Sequence, residues 1–277
     1  MNAGIAKMDE RRRWTDSADA WRNWAEGMAN PADRVNRPLL DLAGAQPGQN
    51  VLDLAAGVGE PSLSQARQLD GRGLVVASDL VPAMLSGLRR RAAGHPHPPL
   101  SVAADMGALP FIDGMFDILL CRFGLMFVPD VPAALAEMRR ILRAGGAAVL
   151  AVWGPRADNS LFDRLGRRLG ADHGPMADAL LAPLFRFADP AGLASVATKA
   201  GFASIRHEHV SMTMPAGIGQ PFWLPTLEMA FAPLLSTLAP CDREALHERI
   251  AADFAAEADG QGRFPVAMSV HLLRLET

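Results

Sequence analysis

Five short runs of apolar residues, none alternating with polar ones, set the strongest limit on how this chain folds. They are "VLDLA" at residues 51–55, "LVVASD" closing at Asp79, "LSVAAD" closing at Asp105, "FDILLCRF", and "AAVLAVW" closing at Trp153. A strand with one wet face alternates apolar and polar residues, whereas a strand buried on both faces reads as a continuous apolar run. Between the runs lie helical patterns such as "SLSQARQL", "VPAMLSGLRRRAAG" and "DVPAALAEMRRILRAGG". Strand and helix in turn predict an α/β fold of three layers, a parallel sheet with helices on both faces.

The flanks are read the same way. "WTDSADAWRNWAEGMANPADRVNRPLLDLAGA" predicts two helices parted near Asn30-Pro31, with Trp21 and Trp24 sharing a face. Pro61 is expected in the first turn of a helix, Gly94 to stop the next, and Gly145-Gly146 to close the helix before the fifth strand. Beyond Trp153, "SLFDRLGRRLG" and "DPAGLASVATKAG" predict helices, the second capped by Asp189. "FASIRHEHVSMTM" and "GRFPVAMSVHLLRLE" predict strands, and residues 217–259 an apolar helical segment. The expected organisation is an N-terminal helical cap at 1–45 and a main domain at 46–277, with 217–259 inserted as a helical lid.

Composition narrows the function classes. The 277 residues are 49% hydrophobic and 21% charged with a net charge of −3, which argues against a nucleic-acid or membrane-surface binder. No apolar stretch is long enough for a membrane span and "MNAGIAKMDERRR" lacks a signal-peptide core, so a cytoplasmic protein is expected. Cys121 and Cys241 are too few for a disulfide framework or a zinc site. His207 and His209 in "RHEH" share a strand face but lack a third ligand, so no metal is expected. Tyrosine is absent, which removes the phenol as a general base.

In an open parallel sheet, ligands bind beyond the carboxyl ends of the strands. The first three strands end at or near Asp53, Asp79 and Asp105, and a carboxylate there needs water, a donor or a ligand. In "VLDLAAGVGEPS", Gly57 and Gly59 follow Asp53 and let the backbone approach a ligand closely. Asp79, twenty residues past Gly59, suits a ribose diol, and Asp105 suits an adenine amine. A pyrophosphate would meet Asp53 and Glu60, and the third glycine of a dinucleotide loop is missing at Ser62, which counts against a nicotinamide-dependent oxidoreductase. An acid at that place suits a cationic ligand end such as an α-ammonium group. Ala55 stands where a first glycine is usual, and an ordinary φ is expected for it.

"VLDLAAGVGEPS", "GLVVASDLVPAML" and "AADMGALPFIDGMFDILLCRFGLMFVPDVPAALAEMRRILRAGG" together resemble the class I S-adenosylmethionine-dependent methyltransferases over about residues 45–155. The resemblance is nearest the ubiquinone/menaquinone-biosynthesis-like (methyltransferase type 11) branch. It implies a Rossmann-like seven-stranded sheet whose last strand is antiparallel, with S-adenosylmethionine as cofactor. Carried over by motif, Asp53, Ala55, Gly57 and Gly59 hold the methionine end and Asp79 takes the ribose. Leu80 and Met84 pack on the adenosine, Asp105 and Met106 take the adenine, and Cys121 and Arg122 offer a backbone carbonyl to the amino group. A leading helix folds over the cofactor in related enzymes, so Trp24 or Trp21 is expected to cover it.

Methyl transfer from a sulfonium needs alignment and exclusion of water, with a base only where the acceptor starts protonated. The cofactor motifs therefore do not identify a catalytic residue, for which Arg122 and His173 are the candidates. Phe123 and Trp153 are expected to line the acceptor pocket. "GQPFWLPTLEMAFAPLL" suggests a small hydrophobic or aromatic acceptor, or a homodimer face. The alternative reading is a non-catalytic S-adenosylmethionine-binding or regulatory protein.

Overall fold

The computed structural model describes residues 3–277. The strands are β1 (Asn50–Leu54), β2 (Leu74–Asp79), β3 (Leu100–Ala103), β4 (Phe116–Arg122), β5 (Leu142–Trp153), β6 (Ser204–Gly217) and β7 (Arg263–Glu276). The helices begin with α1 (Ala3–Trp24), α2 (Ala29–Ala43), α3 (Ser62–Leu69), α4 (Pro82–Arg91) and α5 (Val131–Ile141). They continue with α6 (Ser160–His173), α7 (Met176–Leu181), α8 (Pro190–Lys199), α9 (Leu224–Ala230), α10 (Ala232–Leu235) and α11 (Pro240–Ala256). The strands form one seven-stranded sheet of order β3-β2-β1-β4-β5-β7-β6. β1 to β5 pair in parallel, and β7 runs antiparallel to both β5 and β6. This is the Rossmann-like α/β arrangement with its last strand reversed.

The pleat divides each strand between two cores. Leu52, Leu54, Leu119, Cys121 and Leu150 face the side covered by α5 and α8. Val51, Leu120, Val149 and Leu272 face Val35 and Leu39 of α2 and Ala66 and Leu69 of α3. Burial on both sides is why these strands carry no polar alternation. It also sends Asp53 and Arg122, which alternate with Leu52 and Cys121, toward the α2–α3 side.

Helix ends depart from the expectations where tertiary pairing outweighs local stop signals. α5 ends at Ile141 and not at Gly145, because Leu142 already pairs with Phe116 of β4. α4 likewise ends at Arg91, ahead of Gly94. The first break precedes Asn30-Pro31, so Pro31 falls in the first turn of α2, where a backbone N–H has no intrahelical partner to lose. Pro61 caps α3 from outside its first turn.

The first 45 residues do two jobs: α2 packs on the sheet, while α1 lies against α4, α9 and α10. The 217–259 segment holds α9, α10 and α11 between β6 and β7, and α11 buries Leu246, Ile250 and Phe254 in the main core. No single helix among the described residues is long and apolar enough to cross a membrane.

Candidate active site

A cavity of about 370 Å³ opens between the carboxyl edge of the sheet and a roof made by α1 and α9. Its floor carries Ala55, Gly57, Asp79, Arg122, Phe123 and Trp153, all at or just past strand ends. Its roof carries Trp14, Trp21 and Trp24 of α1 with Met229 of α9. Trp24 Nε1 donates to Glu228 Oε2 at 2.6 Å and ties the two roof helices together. Trp14 meets the Phe127 ring edge-on at 4.7 Å, anchoring the roof to the segment after β4.

The loop after β1 explains the missing glycine. Ala55 has φ +55°, so the position keeps the left-handed backbone of a glycine, and the ordinary φ expected for it is corrected. An L-residue in that region costs roughly 1–2 kcal/mol, and such strain collects at binding sites. Space for the extra methyl comes from Gly124, where an added Cβ would lie 2.3 Å from the Ala55 Cβ. Gly124 itself has an ordinary φ of −98°, so it is small for packing and not for its backbone. Gly124→Ala is therefore expected to lose about 2 kcal/mol of stability. Adding Ala55→Gly should restore most of it, a coupling of roughly 1–2 kcal/mol that denaturant unfolding of the double-mutant cycle measures.

Asp79 closes β2 and holds the loop. Its Oδ2 accepts from the Gly57 N–H at 2.9 Å and its Oδ1 from the Val81 N–H at 2.8 Å. Burial pushes its carboxyl above the usual range, and the two backbone donors offset part of that rise. Asp79 lines the cavity and each of its oxygens accepts a single hydrogen bond, which leaves acceptor capacity suited to a diol. Leu80, Met84 and Met106 line the same end. Asp105, beyond β3, also lines it, but its Oδ1 accepts from the Gly107 N–H at 3.0 Å and its Oδ2 is ion-paired with Lys7 of α1. Lys7, absent from the sequence reading, thus competes with any amine for this acid.

Asp53 is the larger correction. It is fully buried, it does not line the cavity, and its Oδ2 accepts from both the N–H (3.0 Å) and the Oγ of Ser62, at the start of α3. Burial pushes its carboxyl to about 7, against the hydrogen bonds from Ser62 and the charge of Arg122. A direct contact with an ammonium group is thus not what this fold offers. Asp53 acts from beneath the loop, by capping α3 and by its field.

Gly59 and the Cys121 side chain also lie off the wall. A Cβ on Gly59 would meet Leu63 at 2.8 Å, and burial pushes the Cys121 thiol up to about 12, leaving it inert. Arg122 does reach the wall, with its Cζ 5.9 Å from the Phe123 ring centroid, and burial lowers its proton affinity.

The end of the cavity by β4 to β7 is aromatic and sulfur-rich. Phe123 (φ +59°) and Trp153 stack with centroids 4.0 Å apart and planes 3° from parallel, and Phe162 meets Trp153 edge-on at 5.1 Å. Met214 of β6 and Met268 of β7 complete it, together with Asn159 and Thr226. The methionines escaped the sequence reading because alternation marks a strand face without saying what that face meets. Glu10 escaped it too: on α1 it lines the cavity, accepts from Trp14 Nε1 at 3.1 Å, and has its carboxyl raised by burial.

His173, a candidate base, ends α6 and does not line the cavity, which counts against that role. His207 Nε2 bonds His271 Nδ1 at 3.0 Å and His209 Nε2 bonds Ser269 Oγ at 2.9 Å. Among the described residues no group of three or more His, Cys, Asp or Glu is placed to hold a metal.

A sheet of this order, with an acid-and-glycine loop at its carboxyl edge beneath a roofed cavity, puts a ligand site at the carboxyl edge. Residues 52–150 match the family model described as "Methyltransferase domain". The demethylmenaquinone methyltransferase of Beutenbergia cavernae is 44% identical over 122 residues, covering 43% of this chain and 47% of that protein. The malonyl-[acyl-carrier protein] O-methyltransferase of Halorhodospira halophila is 32% identical over 206 residues, covering 73% and 65%. The chain spans about half the length of most curated relatives it matches. Among solved structures, the phosphoethanolamine N-methyltransferase 2 of Haemonchus contortus with S-adenosylhomocysteine shares the fold at a TM-score of 0.55 and 14% identity, covering 87% of this chain and 52% of that one.

Proposed function

We propose that the whole protein is an S-adenosylmethionine-dependent methyltransferase acting in the cytoplasm on a small, largely apolar acceptor. The observation that carries this reading is the convergence, in one cavity whose floor falls largely in the stretch matching a methyltransferase domain, of Asp79, the Gly57 loop and Arg122 at one end with the Phe123–Trp153 stack at the other. The residues present fit the cofactor. Asp79 is a half-buried acceptor for a diol, Leu80 and Met84 give apolar contact for a base, and the buried Nε of Arg122 lacks a partner beside the loop. When bound, S-adenosylmethionine supplies a methyl group on a sulfonium.

The chain's own residues do the rest. Asp79 and the glycine loop hold and orient, the tryptophans of α1 and Met229 exclude water, and the Phe123–Trp153 pair fixes the acceptor's apolar body. The wall built by β5 to β7, α6 and α9 carries no ionisable side chain, so a charged acceptor body would be desolvated there without compensation. Named relatives act on a demethylmenaquinone and a malonyl-[acyl-carrier protein], so the apolar wall, and not the names, supports the acceptor class.

Titration calorimetry with S-adenosylmethionine, S-adenosylhomocysteine and NAD, followed by a labelled-methyl acceptor screen, tests the reading. Binding of the first two without NAD, and transfer to neutral apolar acceptors, is the expected result. NAD binding alone defeats it, and cofactor binding without transfer to any acceptor favours the non-catalytic alternative.

A further inference from the structure

Arg122 is a cation that the protein leaves unused. Among the described residues its side chain makes no hydrogen bond and no ion pair, and its Nε is fully buried without a partner. Burying a guanidinium nitrogen without a hydrogen-bond acceptor is costly, so its retention on a cavity wall points to an anion arriving from outside the protein. The two nearby acids do not serve. Glu60 is already held by Asn36 Nδ2 (3.2 Å), Ser64 Oγ (2.7 Å) and Arg91 (3.3 Å). Asp53 is turned under the loop to Ser62.

Resting on the cofactor reading above, we propose that the Arg122 side chain anchors the α-carboxylate of S-adenosylmethionine. The placement is that of the amino-acid end. Arg122 closes β4 next to β1, one residue before the bend where Phe123 and Gly124 meet the Ala55 loop, and on the other side of β1 from Asp79. A guanidinium fork matches a carboxylate with two parallel N–H···O bonds. Asp53, beneath the same loop and with its Oδ1 unpartnered, supplies the opposite field for the α-ammonium group when that group's arrival ionises it. Cation and acid together then read the zwitterion by its two charges, and Arg122 serves as a specificity residue for ligands bearing the amino-acid tail.

Arg122→Met keeps the apolar stem and removes the charge. Calorimetry with S-adenosylhomocysteine and with 5′-methylthioadenosine, which lacks the amino-acid tail, separates the cases. The variant should bind S-adenosylhomocysteine at least tenfold more weakly than wild type and 5′-methylthioadenosine within twofold of it. Arg122→Lys should recover at least threefold of the lost affinity. Unchanged S-adenosylhomocysteine affinity overturns the proposal, as does an equal loss for both ligands, which would mark a structural role. Unchanged cofactor affinity with weakened turnover of carboxylate-bearing acceptors would give the cation to the acceptor and also overturn it. If wild type binds neither adenosine ligand, the cofactor reading itself falls, a result distinct from any variant-specific one.

Discussion

Wild-type protein is expected to lose stability as pH rises from about 4 to above 7, and Asp53→Asn to flatten that loss. Asp53 has its carboxyl raised from 3.8 to about 7 by complete burial. Below the ordinary value both folded and unfolded chains carry the proton, and Asp53 costs folding nothing. Between the two values the unfolded chain ionises while the folded one holds its proton, so each pH unit disfavours the folded state by about 1.4 kcal/mol. Above the folded value the full difference, on the order of 4 kcal/mol, has accumulated. Asparagine keeps an oxygen for the Ser62 N–H and Oγ–H but never ionises. Urea unfolding at pH 5 and pH 8 measures both proteins. Equal losses in wild type and variant would show that Asp53 is not the group responsible. A bound α-ammonium group should lower the same carboxyl's proton affinity, so cofactor binding near pH 6.5 should release protons, read by calorimetry in buffers of different ionisation heat.

Asp79→Ala should weaken S-adenosylhomocysteine binding about a hundredfold. A charged acceptor bonded to a ribose diol contributes about 1.5–3 kcal/mol, and near 2.7 kcal/mol that is two decades in affinity. The same change strands the Gly57 and Val81 N–H groups, so the free protein should also lose about 1–3 kcal/mol of stability. Asp79→Asn keeps one acceptor oxygen and should fall between the two. Affinity within threefold of wild type for Asp79→Ala would remove Asp79 from the ribose, whatever happens to stability.

Both predictions rest on positions visible in the sequence, yet the two acids do different work, and only the fold separates them. Asp53 and Asp79 each close or nearly close an apolar strand beside the glycine loop. The pleat places the Asp53 side chain among α2 and α3, whereas Asp79 ends its strand and turns to the loop and the cavity. Periodicity gives a side chain's parity along a strand, but the layer each parity meets is set by how distant helices pack. Ala55 teaches the same lesson from the other side. Read alone, it departs from a glycine loop; in the fold, its strained φ and its methyl are accommodated by Gly124, far along the chain.

The sequence by itself determined the class of fold and placed Asp79, Leu80, Met84 and Met106 near the carboxyl edge where they line one cavity. Each of these follows from local facts: unbroken apolar runs, glycines at a turn, acids at strand ends. The tertiary structure decided the Lys7–Asp105 pair, the Trp24–Glu228 tie across the roof, the entry of Met214 and Met268 into the cavity wall and the unpartnered Nε of Arg122. These are contacts between segments remote in sequence, and their partners are chosen by packing, which no short stretch of residues encodes.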